Sequence, residues 1–366
     1  MEKQYRIGVI GHTGRGNYGH GVDSVWNSIA GCKIIAVSDA NDDGRAAAKE
    51  RLGAERTYKD YNTMLAKEQL DIVSVCPRWV DQHRDMILAC VSRGIHVYTE
   101  KPFCRDLEEA DEIVKACEEK SVKLAIAHQT RYSPIIQVIK ELIEDGRIGR
   151  LLELRGRGKE DHRGGGEDLW VLGSHIFNLM HYFGGEPNWC FGSVLDKHKP
   201  VTAQHVADGN EGIGPLAGDS ITATYGMNDS VRGFFATNRA AHGRRFGLQI
   251  FGSNGVIEVV TGYIPNAFIL EDPMWSPGRS GGKWKPITTA GVDKPEPMKD
   301  GGLQAGNIAA CADLVMAIEE DREPECNVQE ARTTIEMIAA VFESHRQQKP
   351  VSMPLENRKN PLDLLA

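Results

Sequence analysis

Short apolar runs alternate with helical patterns through the first 127 residues of the chain. The runs are rich in Val and Ile and barely alternate with polar positions: Arg6–Ile10, Lys33–Val37, Asp71–Cys76, His96–Thr99 and Lys123–Ala127. Strands buried on both faces of a parallel sheet have this pattern. Between the runs, an apolar face at helical spacing predicts a helix over Val22–Ile29, and further helices are predicted from Asp42 to Gly53, from Val80 to Gly94 and from Asp106 onward. Repeated βα units predict a doubly wound parallel sheet.

After about residue 127 the pattern becomes that of an antiparallel sheet. Ser133-Pro134 begins a predicted helix, and strand-like stretches follow: Leu151–Arg157, Asn188–Leu195, Ser220–Tyr225, Val231–Thr237, Phe246–Phe251 and Val256–Val260. Residues 270–300 are predicted to form a surface segment, and two helices near Asn307–Glu320 and Val328–Gln347 come after it. The fold class is therefore α/β. A doubly wound domain is predicted over residues 1–127, and an α+β domain on an open, mostly antiparallel sheet over residues 128–366.

The composition fits two such domains and argues against several other classes of protein. The 366 residues exceed the usual size of one domain. The 43 Lys and Arg against 51 Asp and Glu give a net charge of −8, whereas nucleic-acid-binding proteins usually carry a basic surface. The eight cysteines contain no CxxC pair, which favours a reducing compartment over a zinc or disulfide framework. No signal peptide and no 18-residue apolar run is visible. We expect a cytoplasmic protein that binds neither nucleic acid nor membrane.

A glycine-rich turn follows the first predicted strand, in Gly11-His12-Thr13-Gly14-Arg15-Gly16. Gly11 and Gly16 occupy the first and third positions of GxGxxG, whereas the middle position is Thr13. The place of this turn within a βαβ unit favours a dinucleotide site. Asp39 ends the second strand, where a carboxylate accepts both ribose hydroxyls and repels a 2′-phosphate, so we expect NAD rather than NADP. The alternative is a structural turn with a helix-capping Asp39.

The predicted strand His96–Thr99 is followed by Glu100-Lys101-Pro102, at the sheet edge where such folds bind ligands. Further motifs are the glycine turn, Asp39, Cys76-Pro77, His83, His128–Pro134, Gly173-Ser174-His175 and Phe251–Gly255. Together these residues resemble the Gfo/Idh/MocA oxidoreductase family over nearly the whole chain. The resemblance implies an N-terminal Rossmann domain and a C-terminal open sheet that forms a homo-oligomer. It also implies NAD(P)-dependent oxidation or reduction of sugars, inositols and related polyols.

The resemblance also implies roles for individual residues. Lys101 is expected to contact substrate and the cofactor ribose, and Glu100 to hold the nicotinamide end. The expected NAD-binding residues are Gly11, His12, Thr13, Gly14, Arg15, Gly16, Asp39, Pro77, Arg78, Trp79, His83, Glu100, Lys101 and Gln129. Independently of the family, an ammonium beside a carbinol favours the oxyanion that develops as hydride leaves. The alternative for Lys101 is a solvated lysine at a strand end. Trp79 either stacks on the nicotinamide or on an aromatic aglycone, or only packs against its neighbours.

The stretch around His175 departs from the family pattern Asp-x-Gly-x-His-x-x-Asp. His175 is in register, but Val171 and Asn178 replace the two acids. Asp168 lies seven residues earlier, so on a single helix it would share a face with His175 and orient the imidazole; alternatively it caps that helix. We expect Lys101, His175 and Asp168 to be catalytic, with Glu167 as the other candidate for the missing acid.

The polar run Arg155–Arg163 follows a strand end and is either a solvated loop or a sugar-binding wall; the family resemblance favours the wall. The expected substrate-binding residues are Lys101, Arg157, Lys159, Asp161, His162, Glu167, Asp168, His175 and Asn178. Glu160, Asp161, His162 and His175 have ligand chemistry suited to a metal. Their spacing is not that of a tight site and hydride transfer needs no metal, so none is predicted.

The predicted activity is NAD-dependent oxidation of a secondary hydroxyl of a sugar or glycoside to a ketone. Val171, Asn178 and the loop from Glu160 to Trp170 resemble family members that act at position 3 of glucosides. One alternative is a redox-neutral enzyme that uses transient oxidation to cleave a glycoside. Another is a non-enzymatic NAD-responsive regulator, against which the intact Lys101 and His175 argue.

Overall fold

The computed structural model describes residues 4–241, 245–261, 266–299 and 303–365, apart from the side chain of Leu303. The chain forms two compact units. Unit 1 contains Met1–Gln129, Gly209–Gly214 and Leu303–Ile335, and unit 2 contains Thr130–Asp208, Pro215–Gly302 and Glu336–Ala366. The sequence pattern alone assigns residues 209–214 and 303–335 to the second domain, whereas here they group with unit 1. The boundaries 1–127 and 128–366 stay a prediction, and residues 1–3, 300 and 366 lie outside the described part of the chain.

Six parallel strands form the centre of unit 1: β1 Tyr5–Ile10, β2 Cys32–Ser38, β3 Arg56–Tyr58, β4 Ile72–Val75, β5 His96–Thr99 and β6 Leu124–Ile126. Their order is β3-β2-β1-β4-β5-β6. Ile7, Val73 and Val97 are inaccessible, as expected for strands covered on both faces. The doubly wound sheet is confirmed. Its switch point lies between β1 and β4, which pair with each other while their chain neighbours lie on opposite sides.

The helices of the described residues are α1 Asp42–Leu52, α2 Tyr61–Lys67, α3 His83–Val91, α4 Leu107–Lys120, α5 Pro134–Glu144, α6 Gly166–Val171, α7 Gly173–Gly184, α8 Pro277–Ser280, α9 Leu303–Glu319 and α10 Val328–Gln347. None of these helices is long and apolar enough to cross a membrane. Asp106 caps α4 by accepting a hydrogen bond from Glu109 N at 2.9 Å. Asn41 caps α1, because its side chain accepts a hydrogen bond from Gly44 N.

The helix predicted over Val22–Ile29 is wrong: this segment contains only a 3₁₀ turn, Val25–Ser28. Gly19 and Gly21, just before it, have φ of +65° and +79°, which an α-helix does not accommodate. The apolar spacing arises instead from burial, since Val25 and Trp26 are inaccessible. The glycine turn is therefore followed by further turns and not by a long helix.

Unit 2 is built on a large, mostly antiparallel sheet. The remaining strands are β7 Leu151–Arg157, β8 Trp189–Asp196, β9 Lys199–Pro200, β10 Ala207–Asp208, β11 Pro215–Leu216, β12 Ser220–Gly226, β13 Arg232–Asn238, β14 Gly247–Gly252, β15 Gly255–Val260, β16 Asn266–Leu270, β17 Lys285–Thr288, β18 Gly291–Val292 and β19 Val351–Ser352. The sheet order is β18-β17-β16-β15-β14-β7-β13-β12-β8-β19, with β9 beside β8, and β10 pairs only with β11. Residues 270–300 are not merely a surface segment, because β17 and β18 extend the sheet edge.

One face of this sheet carries helices, and on the opposite face a row of side chains is partly or fully exposed among the described residues. Gly156 and Gly192 allow α7 and α10 to approach: a Cβ would lie 2.4 Å from Ile176 and 2.6 Å from Val341 O. On the opposite face, direct cross-strand partners form a continuous row, here called the open-face row: Phe191, Thr224, Phe234, Arg155, Gln249, Glu258 and Phe268. Phe191 and Phe268 at its two ends are 47% and 36% exposed.

Candidate functional site

The glycine turn in unit 1 is a tight loop at the carboxyl end of β1. His12 and Asn17 exchange two backbone hydrogen bonds of 3.0 and 2.9 Å, and Gly14 and Gly16 both have positive φ. A Cβ on Gly16 would lie 2.5 Å from the backbone nitrogens of Arg78 and Trp79, so only glycine fits there. A Cβ on Gly14 would meet nothing within 4 Å, so the backbone at that point is open to a ligand.

Asp39 directly follows β2 beside this loop, and its carboxylate is held in place. Oδ2 accepts hydrogen bonds from Thr13 N at 3.0 Å and Thr13 Oγ1 at 2.6 Å, and Oδ1 accepts from Asn41 N at 2.9 Å. Since Asn41 caps α1, the helix-capping alternative for Asp39 is wrong. Arg45 donates to the backbone oxygen of Asp39 at 2.7 Å and is also paired with Asp42.

Glu100 and Lys101, at the end of β5, are both buried; Lys101 is 6% exposed, which excludes a solvated strand-end lysine. Glu100 accepts hydrogen bonds from His20 N at 2.9 Å, His20 Nδ1 at 2.5 Å and Lys101 N at 2.8 Å. Burial acts to raise the pKa of Glu100. The hydrogen bond and charge of His20 and the charge of Lys101 outweigh burial, so the pKa falls below its usual value. The carboxylate form is therefore favoured.

Two of the residues around this pair were not assigned from the sequence. His20 is the partner of Glu100, and its backbone oxygen accepts from Asn307 Nδ2 on α9 at 2.9 Å. Asn307 is in turn held by Tyr98 on β5, whose hydroxyl donates to Asn307 Oδ1 at 2.8 Å. Nothing in the local sequence marks Asn307, which lies 287 residues from His20.

His83 and Gln129 are two further candidate residues of unit 1. His83 is inaccessible and bridges two strand-end turns: Nε2 lies 2.7 Å from Pro77 O and Nδ1 lies 2.9 Å from Pro102 O. It therefore fixes the turns after β4 and β5 relative to each other. Gln129 is buried, and its Nε2 has no hydrogen-bond partner among the described residues. A buried unpaired donor of this kind is suited to a ligand.

The polar run in unit 2 is a braced loop after β7. Glu160 is inaccessible, has a positive φ of 59°, pairs with Arg157 and accepts from Asn238 N at 3.1 Å. Asp161 pairs with Arg163 at 2.7 Å, and the pKa of Asp161 lies well below its usual range, mainly because of that side-chain hydrogen bond. Lys159 also lies near Asp161, at 3.6 Å, whereas the His162 side chain is 85% exposed.

Asp168 is inaccessible in α6 and holds this loop. Its carboxylate accepts hydrogen bonds from Lys159 N and Glu160 N, both at 3.2 Å, and from Thr237 Oγ1. Burial raises the pKa of Asp168, and these hydrogen bonds oppose the rise only in part. The capping alternative is wrong, because the cap positions of α6 and α7 are Gly165 and Leu172. The possibility that one helix contains both Asp168 and His175 is also wrong, because the two residues lie in the separate helices α6 and α7.

His175 lies in the first turn of α7 and is half-buried. Its ring meets Phe246 edge-on, with 6.3 Å between the ring centroids. Val171 and Asn178, which replace the family acids, are both buried. Two buried polar atoms close to His175 in sequence, Trp170 Nε1 and Ser174 Oγ, have no hydrogen-bond partner among the described residues and were not assigned from the sequence.

No group of three or more His, Cys, Asp or Glu side chains in the described part of the chain is arranged to hold a metal ion. The residues of unit 1 do fit a dinucleotide. An open glycine backbone at Gly14, a fixed carboxylate at Asp39 and an unpaired buried donor at Gln129 all belong to that unit. The pyrophosphate, ribose and nicotinamide carboxamide of NAD offer groups that match these three features.

Two family models match the chain. Residues 5–128 match the family described as "Oxidoreductase family, NAD-binding Rossmann fold", and residues 136–258 match the "GFO/IDH/MocA C-terminal domain". Together the two matches cover more than half of the 366 residues. The N-terminal match supports NAD as the cofactor.

Among curated relatives, the chain is 35% identical over 124 residues to D-apiose dehydrogenase of Paraburkholderia graminis, covering 34% of this chain and 33% of that protein. It is 28% identical over 271 residues to myo-inositol 2-dehydrogenase of Thermotoga maritima, covering 69% and 74% of the two chains. The solved structure of levoglucosan dehydrogenase with NADH and levoglucosan matches with a TM-score of 0.79 at 20% identity, covering 96% of this chain and 100% of that one. The similarity to this solved structure shows that the two chains share a fold.

Proposed function

The chain belongs to the Gfo/Idh/MocA oxidoreductase family, and we propose that it oxidises a secondary hydroxyl of a sugar or glycoside to a ketone with NAD. The buried Glu100–Lys101 pair at the carboxyl end of β5, in the NAD-binding unit, carries the proposal. Relatives named as apiose, inositol and levoglucosan dehydrogenases support the substrate class. The first position we would test is C3 of a glucoside.

Bound NAD⁺ supplies the hydride acceptor, so each turnover gives one ketone, one NADH and one proton. Lys101 would hold its ammonium at the reacting hydroxyl and stabilise the negative charge that develops on oxygen. Glu100, kept ionised by His20 and Lys101, would supply a negative charge that attracts that ammonium. Because the pair is buried, its charges act with little screening by water.

The proton of the hydroxyl needs an acceptor, and we assign that role to His175. Among the proposed substrate-binding side chains, Arg157 ends β7, and the loop braced by Asp168 carries Lys159, Asp161 and His162. Glu167 and Asn178 lie on α6 and α7. Asp168 would serve as a positioning residue, because its carboxylate is occupied by the Lys159 and Glu160 amides and by Thr237.

We further propose that the protein is a homo-oligomer joined through the open-face row and that it works in the cytoplasm. Exposed Phe191 and Phe268 on a continuous sheet face support the first proposal. All eight cysteines are free and seven of them are buried, which supports a reducing compartment.

The function can be tested by incubating the protein with NAD⁺ and a panel of sugars and glycosides, with mass spectrometry of the products. We expect a product that has lost two hydrogen atoms, formed together with NADH. The variant Lys101→Met should lower turnover by roughly 10²–10³, the effect of losing one oxyanion-stabilising donor. The exposed Lys67→Met in α2 is the matched control.

Either of two results would contradict the proposal. A cleaved glycoside without net NADH would identify the redox-neutral reaction instead. Near-normal turnover in a folded Lys101→Met protein would remove Lys101 from the chemistry.

A further inference from the structure

Two polar bridges within unit 1 join the glycine turn to the segment that follows β4. His12 Nδ1 lies 2.8 Å from Gln82 Oε1, and the Arg15 guanidinium is paired with Asp81. Arg15 also stacks on the Trp79 ring, 4.7 Å from its centroid. Since β1 and β4 flank the switch point, these bridges span the crevice in which doubly wound sheets bind their ligands.

A distant segment of the chain, Gly209–Gly214, here called the strap, lies on the same residues. Gly209 N donates to Gly214 O at 2.8 Å, which closes the strap into a compact turn, and Ile213 is buried. Glu211 Oε1 lies 3.8 Å from Arg78 Nη2. Gly212 packs directly on Asp81, since a Cβ there would lie 2.7 Å from Asp81 Oδ1.

Two buried polar atoms close to the strap are available to form a hydrogen bond with a ligand. Arg15 Nε and Asp81 Oδ1 are buried and have no hydrogen-bond partner among the described residues. An unpaired guanidinium donor beside the glycine turn is suited to a phosphate oxygen. The two ion pairs are partly exposed, with side chains 21–41% accessible, so each contributes little stability and can open.

We propose that Asp81, Gln82 and the strap form a cover over the NAD site, which must open for NAD to enter or leave. Arg15 would then bind the pyrophosphate while remaining under the cover. A cover that is shut both with and without NAD slows association and dissociation to the same extent and leaves Kd almost unchanged. The proposal rests on the NAD-binding assignment and not on the identity of the sugar.

Two glycines of the strap give a matched pair of variants. Gly212 and Gly214 both have positive φ, of +68° and +91°, so alanine strains the backbone at either position. The added methyl group meets Asp81 at Gly212 but nothing within 4 Å at Gly214. We therefore expect Gly212→Ala to raise both the association and the dissociation rate constant of NADH by about fivefold, and Gly214→Ala to leave both rates near those of the parent protein.

The rates can be measured by stopped-flow fluorescence of NADH, with excess NAD⁺ to displace it. Glu211→Gln, which keeps side-chain size and loses only the charge facing Arg78, is the second variant and should raise both rates about twofold. Unchanged rates in Gly212→Ala and Glu211→Gln would overturn the proposal, and so would a rise in the dissociation rate alone. Failure of the parent protein to bind NADH would contradict the cofactor assignment itself, which separates the two ideas.

Discussion

Asp39 is the residue whose position bears most directly on cofactor choice. Its carboxylate is fixed by Thr13 and Asn41 at the end of β2, where the adenosine ribose of a dinucleotide lies. Like-charge repulsion should therefore disfavour a 2′-phosphate, and we expect the protein to bind NAD at least about tenfold more tightly than NADP. Asp39→Ala should narrow this ratio, whereas the exposed Asp43→Ala should not. Calorimetry that gave equal affinities in the parent protein would contradict the prediction.

His175 and Asp168 should affect catalysis in different ways. A histidine titrates near neutral pH, so loss of the proton acceptor in His175→Ala should lower turnover by about 10²–10⁴ and abolish the pH dependence that this group causes. Asp168 instead holds the backbone of the loop at Lys159 and Glu160. Asp168→Asn places an amide donor against backbone donors, and we expect it to lower kcat/KM at least tenfold, mainly through KM, with the pH profile retained.

Glu167→Gln is the control for the His175→Ala and Asp168→Asn variants. Glu167 lies next to Asp168 in α6 and is only partly buried. If Glu167→Gln is the variant that loses activity while Asp168→Asn keeps it, Glu167 replaces the missing family acid. If both keep full activity and His175→Ala does not, the histidine works without either carboxylate. Retained activity in His175→Ala would leave Lys101 or water as the proton acceptor.

The strand-end residues of the site could be predicted from the sequence, whereas their partners could not. Asp39 and Lys101 follow apolar strands, and the carboxyl edge of a parallel sheet is a general ligand-binding position. His20 lies 80 residues from Glu100 and Asn307 lies 287 residues from His20, so their contacts depend on tertiary packing. The sequence pattern also draws attention to Asp168, but the hydrogen bonds by which its carboxylate holds the loop at Lys159 and Glu160 are visible only in three dimensions.

Among the elements, strands with continuous apolar runs were predictable, whereas β16 was not, although Ile269 and Leu270 in it are inaccessible, and neither was the 3₁₀ turn Val25–Ser28. The strands predicted in both halves of the chain are present, because their apolar runs reflect burial directly. The helix predicted over Val22–Ile29 fails because its apolar spacing serves burial while Gly19 and Gly21 turn the chain. Strand β3 was missed because it is a three-residue edge strand with partly exposed, polar side chains.

For the molecule as a whole, chain order is a poor guide to the grouping of segments. Residues 303–335 lie near the carboxyl end of the chain but pack into unit 1. Within that unit, Asn307 donates a hydrogen bond to the backbone oxygen of His20, and Lys123, which directly precedes β6, pairs with Glu323 at 3.0 Å. The strap belongs to the same unit although its flanking strands, β10 and β11, belong to unit 2. The NAD-binding unit is thus assembled from three separate stretches of sequence, which periodicity within any one stretch does not indicate.

The open-face row gives a prediction at the scale of the assembly. Phe191 and Phe268 are exposed at opposite ends of a face that runs across the sheet of unit 2, and large exposed aromatics on such a face favour association. Because buried aromatic side chains often contribute about 2 kcal/mol or more to an interface, Phe191→Glu with Phe268→Glu should weaken assembly by roughly 30-fold or more. Light scattering after size exclusion should then show the parent protein as an oligomer and the double variant as a monomer at the same concentration. The control Leu364→Glu alters a residue whose exposure, 43%, lies between those of Phe191 and Phe268, but which is in the last 3₁₀ turn, so the mass should stay unchanged. A monomeric parent protein, or a double variant that assembles like the parent, would show that this sheet face does not form the interface.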